Sequence, residues 1–312
     1  MADGGAAMSR LDAQLGDYLR LRRALGYRLE REEQWLRQLL EYLQAAGSDS
    51  LTSELTIRWA RLPATAQPRH WAQRLGCARK FAGYLHTLDS STQIPPIGVF
   101  PAARHRPMPY LWSAEQIEIL LVTARQLRPP LRGLTHQTLF GLLAVSGMRL
   151  GEAVGLHRGD VDLDTAVITI RHAKFDRPRI VPLHPTVSAA LRRYATQRDQ
   201  LCPLPRSDAF FLSSRGSTLN RTQVDKTLRQ ITTVMGIRTA TEHPRAHDLR
   251  HSLAVHTLIR WMREGVSVDE HIAVLSTYLG HVSPAGTYWY LTAVPELMEL
   301  AAGRLQLPAG VR

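Results

Sequence analysis

Four short segments of the sequence hold the polar side chains that are best suited to chemistry. Arginine carries a planar guanidinium that can bind two oxygens of one phosphate, and it stays charged at any physiological pH. Histidine gains and loses a proton near neutral pH, so it can take part in proton transfer. These types together suit a reaction on an anion such as a phosphate. The segments are residues 146–152 with Arg149 and Glu152, the stretch around Lys174, residues 247–251 with His247 and Arg250, and residues 279–290 with His281 and Tyr290.

Taken alone, each segment also fits an ordinary structural role. Arg149 and Glu152 have the i,i+3 spacing of a surface ion pair on a helix, which is worth only about 0.2–0.5 kcal/mol. A lysine at a hairpin tip is usually solvated, and a tyrosine in an aromatic run usually packs in or beside a core. His247 and His251 have the i,i+4 spacing of a zinc-binding helix, but Asp248 stands where a glutamate is expected and no third ligand is evident. A metal-dependent hydrolase is therefore a disfavoured alternative.

The net charge indicates a partner with many negative charges. The 312 residues include 39 lysines and arginines against 27 acidic residues, a formal net charge of +12. Nucleic acid is the commonest partner of so basic a chain, and a basic enzyme with a small anionic substrate is the alternative. Only Lys80, Lys174 and Lys226 are lysines, so arginine supplies most of the positive charge.

Composition also bounds the class of protein and its compartment. Hydrophobic residues make up 44% of the chain, which is enough for a core and excludes global disorder. Cys77 and Cys202 form neither a disulfide framework nor a zinc-finger spacing, which predicts a reducing compartment. The first ten residues lack the pattern of a signal peptide, and the longest apolar stretch, residues 139–148, is about half a membrane span. The sequence predicts a cytoplasmic protein that does not enter a membrane.

The elements that must position the four segments fall into two groups. Residues 1–90 carry apolar positions at three- and four-residue spacing, which predicts four helices, the third of them capped by Ser53. Residues 91–110 contain five prolines together with several basic residues, which predicts an extended basic linker. Residues 111–312 form the second group. The sequence therefore predicts a helical N-terminal domain, a linker and a larger C-terminal domain.

The second group is predicted to be mostly helical with one small antiparallel sheet. Ser113 and Gln116 have the spacing of a helix capping box. The period changes to that of strands at residues 167–170 and 180–181, and Lys174 lies between them, which predicts a β-hairpin with this lysine at its tip. The fold class is therefore α+β and mainly α. A further strand is expected at residues 210–212, and helices are expected across Thr135–Ser146, from Asn220, across Leu249–Met262 and across Val268–Leu279.

In their order along the chain, these polar residues resemble the signature of the tyrosine recombinase, or phage integrase, family. That signature runs from an arginine and a glutamate three residues later to a hairpin lysine, His-x-x-Arg, Leu-Gly-His and a tyrosine nine residues after that histidine. The resemblance covers residues 113–300 and extends to the layout of a small helical domain and a linker ahead of them. The glycines that usually flank the lysine are replaced by Ala173 and Phe175. The matching residues are Arg149, Glu152, Lys174, His247, Arg250, His281 and Tyr290.

The resemblance implies a site-specific DNA recombinase or integrase with an N-terminal domain that binds the core DNA site and a C-terminal catalytic domain. Members of the family cleave DNA with a tyrosine oxygen, hold the strand as a 3′-phosphotyrosine and rejoin it without metal, cofactor or ATP. Arg149, Arg250 and His281 would then bind the phosphate oxygens, on which the five-coordinate transition state places additional negative charge.

The resemblance also implies how protons move. Tyr290 must lose its proton as it attacks, and His247 is the candidate for taking or sharing it. Lys174 would be the general acid that protonates the leaving 5′-oxygen. Glu152 is expected to contact an arginine rather than the substrate. Tyr288 is the alternative nucleophile, but it lies two residues from Tyr290, so on a helix the two side chains point to nearly opposite sides.

Two other functions share part of this signature. A type IB topoisomerase would relax DNA by the same chemistry, and an accessory factor would bind DNA without cleaving it.

The resemblance implies double-stranded DNA as the partner, and four protomers of this chain or of related recombinases in the synaptic complex. Residues 295–305 predict an amphipathic helix that docks on a neighbouring protomer or packs on its own domain. A bacterial cytoplasmic location follows, on the nucleoid when DNA is bound.

Overall fold

The computed structural model describes residues 3–101, 108–171, 178–280, 286–288, 290, 297–299 and 302, with the backbone alone for residues 3–9. The chain divides into two compact units, Met1–Pro107 and Met108–Arg312, called here the first and second domains. The predicted linker, residues 91–110, spans this division.

Four helices are described in the first domain. The end of α1 lies two residues before Gly26, whose φ of +86° suits glycine. The predicted cap of α3 is wrong by one residue, because Thr52 accepts a hydrogen bond from the backbone N–H of Leu55 while Ser53 is already helical. The helices are α1 (Asp3–Ala24), α2 (Glu30–Ala45), α3 (Ser53–Arg61) and α4 (Pro68–Leu88).

The core of the first domain combines leucines with a few aromatic rings. Trp59 of α3 is fully buried, and the guanidinium of Arg74 lies 4.0 Å from the centre of its ring. This arginine also donates a hydrogen bond to the carbonyl of Trp59, so its buried charge has both a π-face and an acceptor. Phe100, which falls within the predicted linker, is buried in the same core.

Seven helices of the second domain are described. The central one is α6, whose residues Leu139, Phe140, Leu142 and Leu143 are all buried, so the longest apolar stretch of the sequence is a core helix packed on several sides. The helices are α5 (Ala114–Arg125), α6 (Pro130–Ser146), α7 (Leu150–Val154), α8 (Pro185–Leu201), α9 (Arg221–Val234), α10 (Ala246–Arg263) and α11 (Val268–Leu279).

A three-stranded antiparallel sheet lies between α7 and α8 in the chain. Its strands are β1 (Val161–Asp162), β2 (Val167–Ile170) and β3 (Arg179–Pro182), in that spatial order. Strands β2 and β3 form the predicted hairpin, and Ile170 lies opposite Arg179 at the end next to the connecting loop. Lys174 itself lies outside the described residues.

The strand expected at residues 210–212 is wrong. Ala209, directly before this stretch, makes an isolated bridge to His157, and Leu212 makes another to Thr218. Phe210 and Phe211 are buried instead by packing on the ring of Tyr194. The β-rich sequence here reflects burial of aromatic side chains rather than a sheet.

The fold class, mainly helical with a small antiparallel sheet, is confirmed. Within the described parts of the chain, none of the helices is long and apolar enough to cross a membrane.

The capping box at the start of α5 supports a stability prediction. Ser113 accepts a hydrogen bond from the backbone N–H of Gln116, whose side chain accepts one from the N–H of Ser113. Ser113→Ala should lower the free energy of unfolding by about 1 kcal/mol, measured by urea denaturation of the full chain. The exposed loop residue Ser214 is the control, and Ser214→Ala should change it by less than about 0.5 kcal/mol. Equal effects would show that the cap contributes nothing.

Candidate active site

Arg149 is presented by a sharp turn between α6 and α7. Helix α6 ends at Gly147, which has a φ of +60°, and Arg149 then caps the start of α7. A Cβ atom on Gly147 would lie 2.8 Å from a methyl group of Leu279 and 3.0 Å from one of Leu253. Glycine is therefore required at this position both for its conformation and for the close approach of α10 and α11.

The guanidinium of Arg149 is held by two fixed acceptors. Its Nη1 donates to Oε1 of Glu152 at 2.8 Å, and its Nη2 donates to the carbonyl of Gly280 at 2.6 Å. The backbone N–H of Arg149 donates to the other carboxylate oxygen of Glu152 at 2.9 Å. The arginine is thus tied to the end of α11, directly before His281.

Glu152 is a buried carboxylate shared by two arginines. Arg179 of β3 binds both of its oxygens, at 2.8 and 2.7 Å, in addition to the contacts from Arg149. Burial alone would raise the pKa of Glu152, but the hydrogen bonds and charges of Arg179 and Arg149 outweigh it and lower the pKa to about 2. The carboxylate is therefore ionised at any physiological pH, and it links α7 to the first residue of β3.

Arg250 is the most deeply buried cation of the site, with 1% of its surface exposed. Its Nη1 donates to the carbonyl of Gly147 at 2.6 Å, whereas its Nε and Nη2 have no hydrogen-bond partner among the described residues. Burial and the nearby charge of Arg149 lower the pKa of Arg250 to about 10, and the charges of Tyr290 and Glu152 oppose that shift. The side chain remains charged at neutral pH and keeps two donors for an anion.

Helix α10 begins earlier than the sequence predicted. Asp248 is fully buried and accepts the backbone N–H of Arg245 at 2.8 Å, which starts the helix at Ala246 rather than at Leu249. The first turn of α10 therefore carries His247, and Arg250 and His251 follow within one further turn. Arg245 also forms an ion pair with Asp248 and so reinforces this start.

Tyr290 lies against the same helix. Its hydroxyl oxygen is 2.7 Å from Nδ1 of His251, and both side chains are buried. The rings of His247 and His251 meet edge to face, with centres 4.4 Å apart. Tyr288, the alternative nucleophile, is 43% exposed, so of the two tyrosines it is Tyr290 that reaches the arginines and histidines.

The described residues thus bring Arg149, Glu152, His247, Arg250 and Tyr290 to one region of the second domain. His281 and Lys174 lie outside the described residues. Their neighbours in the chain are nevertheless in the site, because the carbonyl of Gly280 contacts one arginine and β3, which follows the lysine loop, supplies another.

Sequence reasoning missed two members of this site. Arg179 is not part of the sequence signature, although its place directly after the loop that carries the candidate acid could have indicated it. His251 was considered only as a possible zinc ligand. Across the ranges that the structure describes, no group of three His, Cys, Asp or Glu side chains could hold a metal ion.

Comparison with known proteins decides the family. The profile of the phage integrase family matches residues 112–296, more than half of the chain. The chain belongs to the phage integrase family. It is 43% identical to the putative integrase/recombinase y4rB of Sinorhizobium fredii, over 96% of this chain and 98% of that protein. It is 28% identical to the tyrosine recombinase XerC of Actinobacillus pleuropneumoniae, over 88% of this chain and 86% of that one. The predictions of the family and of site-specific recombinase activity are confirmed.

Solved structures of the family share the fold. The Tn1549 transposon integrase in complex with a circular intermediate DNA superposes with a TM-score of 0.65 at 15% identity, covering 95% of this chain and 99% of that one. The XerA recombinase superposes with a TM-score of 0.52 at 21% identity, covering 96% and 99%.

The position of Glu152 leads to a prediction about stability and pH. Its pKa is lowered in the folded protein from an ordinary value of 4.5 to about 2, so its ion pairs stabilise the fold above pH 4.5 and lose this effect as the pH falls toward 2. Glu152→Gln should therefore lower the free energy of unfolding at pH 7 by about 1–3 kcal/mol.

The difference between Glu152→Gln and the wild type should shrink as denaturation is repeated at pH values from 7 to 3.5. Glu118→Gln, at an exposed glutamate of α5, is the matched control and should leave stability nearly unchanged. A difference that stays constant with pH would contradict a stabilising carboxylate.

Proposed function

We propose that this recombinase binds double-stranded DNA and cleaves one strand with Tyr290, forming a 3′-phosphotyrosine intermediate without metal, cofactor or ATP. The observation that carries the proposal is the buried guanidinium of Arg250, which lies near Arg149 and Tyr290. Its Nε and Nη2, two donor nitrogens, have no hydrogen-bond partner among the described residues. A phosphodiester is a group that could accept these hydrogen bonds and offset the two positive charges.

The fixed arginines suit stabilisation of a transition state. Attack on a phosphodiester places additional charge on the non-bridging oxygens, and donors that are already in place stabilise it without reorganising. Arg149 is held by Glu152 and Gly280, and Arg250 by Gly147, so neither guanidinium has to be ordered when DNA binds. His281 follows Gly280 directly and is proposed to donate a further hydrogen bond.

Two proton transfers complete the cleavage. The histidines of α10, His247 among them, are proposed to take or share the proton of Tyr290. Lys174 is proposed to protonate the leaving 5′-oxygen. This lysine follows β2 by a few residues, and Arg179 fixes the start of β3 on the other side of its loop by binding Glu152.

The energy of the broken phosphodiester stays in the phosphotyrosine, so rejoining needs no ATP. We propose that four protomers, of this chain or of related recombinases, act on two DNA duplexes in the bacterial cytoplasm, on the nucleoid. The XerH and Tn1549 neighbours were solved bound to DNA, which supports the DNA partner. Leu297 is buried in one apolar cluster with residues of α10 and α11, which supports packing of this segment on its own domain.

Recombination is favoured over the two alternatives. A topoisomerase would use the same residues, but the relatives that match nearly the whole chain are an integrase/recombinase and XerC. A catalytically inactive accessory factor would have no need for an aligned tyrosine, histidine and pair of arginines. Relaxation of a supercoiled plasmid without exchange of partner strands would instead support the topoisomerase.

The role of Tyr290 can be tested without knowing the target site. A randomised library of nicked duplexes is incubated with the protein, and DNA attached to protein under denaturing conditions is sequenced. On a duplex selected in this way, Tyr290→Phe should abolish covalent attachment and leave binding nearly unchanged, because only the attacking oxygen is lost. Tyr288→Phe is the control and should retain attachment. Attachment that survives in Tyr290→Phe and disappears in Tyr288→Phe would reverse the assignment.

The role of Lys174 can be tested by changing the leaving group. Lys174→Ala should slow cleavage by about 10² to 10⁴-fold while weakening binding only modestly. A 5′-bridging phosphorothiolate has a sulfur leaving group that needs no proton, so it should restore most of the rate. It should not restore Arg149→Ala or Arg250→Lys, which lose charge stabilisation on other oxygens.

Lys226→Ala, at an exposed lysine of α9, controls for the loss of positive charge and should cleave normally. Equal rescue of the lysine and arginine variants, or rescue of none, would remove Lys174 from the acid role.

A further inference from the structure

His251 is the side chain whose ring joins the nucleophile to the first turn of α10. Its Nδ1 lies 2.7 Å from the Tyr290 hydroxyl, and the centres of these two rings are 5.3 Å apart. On its other side the ring meets His247 edge to face, at an angle of 79°. The three side chains form a contiguous row, with His251 in the middle.

The direction of the hydrogen bond is set by the tautomer of His251. A phenol has a pKa near 10 and a neutral imidazole accepts through one of its nitrogens, so the hydroxyl donates to Nδ1 when His251 is neutral and carries its proton on Nε2. Both side chains are at most 4% exposed, so water does not compete strongly for this bond.

We infer that His251 is the group that directly receives the proton of Tyr290 when the tyrosine attacks DNA. The inference rests on the proposed function and assigns one of its steps to a residue outside the sequence signature. His247, the candidate from the sequence, then acts on His251 as a positioning residue, through the contact between their rings.

The step balances without a further reactant. The O–H bond of Tyr290 breaks and its proton passes to Nδ1 of His251, while the phenolate oxygen forms the bond to phosphorus. The bond from phosphorus to the 5′-oxygen breaks, and that oxygen takes a proton from the general acid. Rejoining runs the same steps in reverse, so His251 returns its proton to Tyr290.

A variant that keeps the hydrogen bond and removes the basicity tests the inference. His251→Asn places an amide oxygen close to the position of Nδ1, where it can accept the bond but cannot take the proton. The variant should bind the selected duplex with nearly unchanged affinity and form the covalent complex about 10² to 10⁴-fold more slowly.

A more acidic nucleophile should then rescue the variant. Site-specific replacement of Tyr290 by a ring-fluorinated tyrosine lowers the pKa of the phenol, so attack depends less on a base. It should recover most of the rate in His251→Asn. It should not recover Arg250→Lys, the matched control, because that defect lies in the charge on the phosphate oxygens.

Two results would overturn the inference. Wild-type rates in His251→Asn would show that another group takes the proton, and a slow variant without rescue by fluorinated tyrosine would show that His251 only positions the ring. Failure of the proposed function looks different, because covalent complexes would then be absent from the wild type or would persist in Tyr290→Phe.

Discussion

The geometry of the site depends on one buried carboxylate. Glu152 lies between Arg149 of the α6–α7 turn and Arg179 of β3. Each of its two carboxylate oxygens accepts one hydrogen bond from Arg149 and one from Arg179. A buried carboxylate is tolerated only when its charge is paired and its lone pairs are occupied. The fold must therefore bring the α6–α7 turn and β3 together, and with them the two arginines.

Arg250 shows the opposite condition, because its hydrogen bonding is incomplete. Two donor nitrogens of a buried guanidinium have no acceptor among the described residues, and a buried polar group without a partner costs about 1–3 kcal/mol. The charges of Glu152 and Tyr290 reduce this cost only in part. A site built in this way is unfavourable when empty and becomes favourable when an anion of the right shape enters, which is what binding of a phosphodiester requires.

The sequence predicted the periodic and ordered features of this protein well. The helices of the first domain, the hairpin of β2 and β3 and the capping box at Ser113 each follow from local patterns, and the structure contains them. Residues 210–212 have the same local pattern as a strand, but Phe210 and Phe211 pack on Tyr194, and in the part of the chain that the structure describes only isolated bridges form here. Contacts between distant segments are invisible to local patterns, and so the bonds of Arg179 to Glu152 and of His251 to Tyr290 appear only in the folded chain.

The site is assembled from residues that are far apart in the order of synthesis. A ribosome completes Arg149 and Glu152 long before it reaches Arg250, and Tyr290 comes later still. A nascent chain can therefore hold the first arginine and the strands β2 and β3 while it has neither Arg250 nor Tyr290. Under the proposed mechanism, the ability to break DNA then arises only after the last of these segments has packed on α10, and chains that end before Tyr290 would carry part of the proposed phosphate-binding site without its nucleophile.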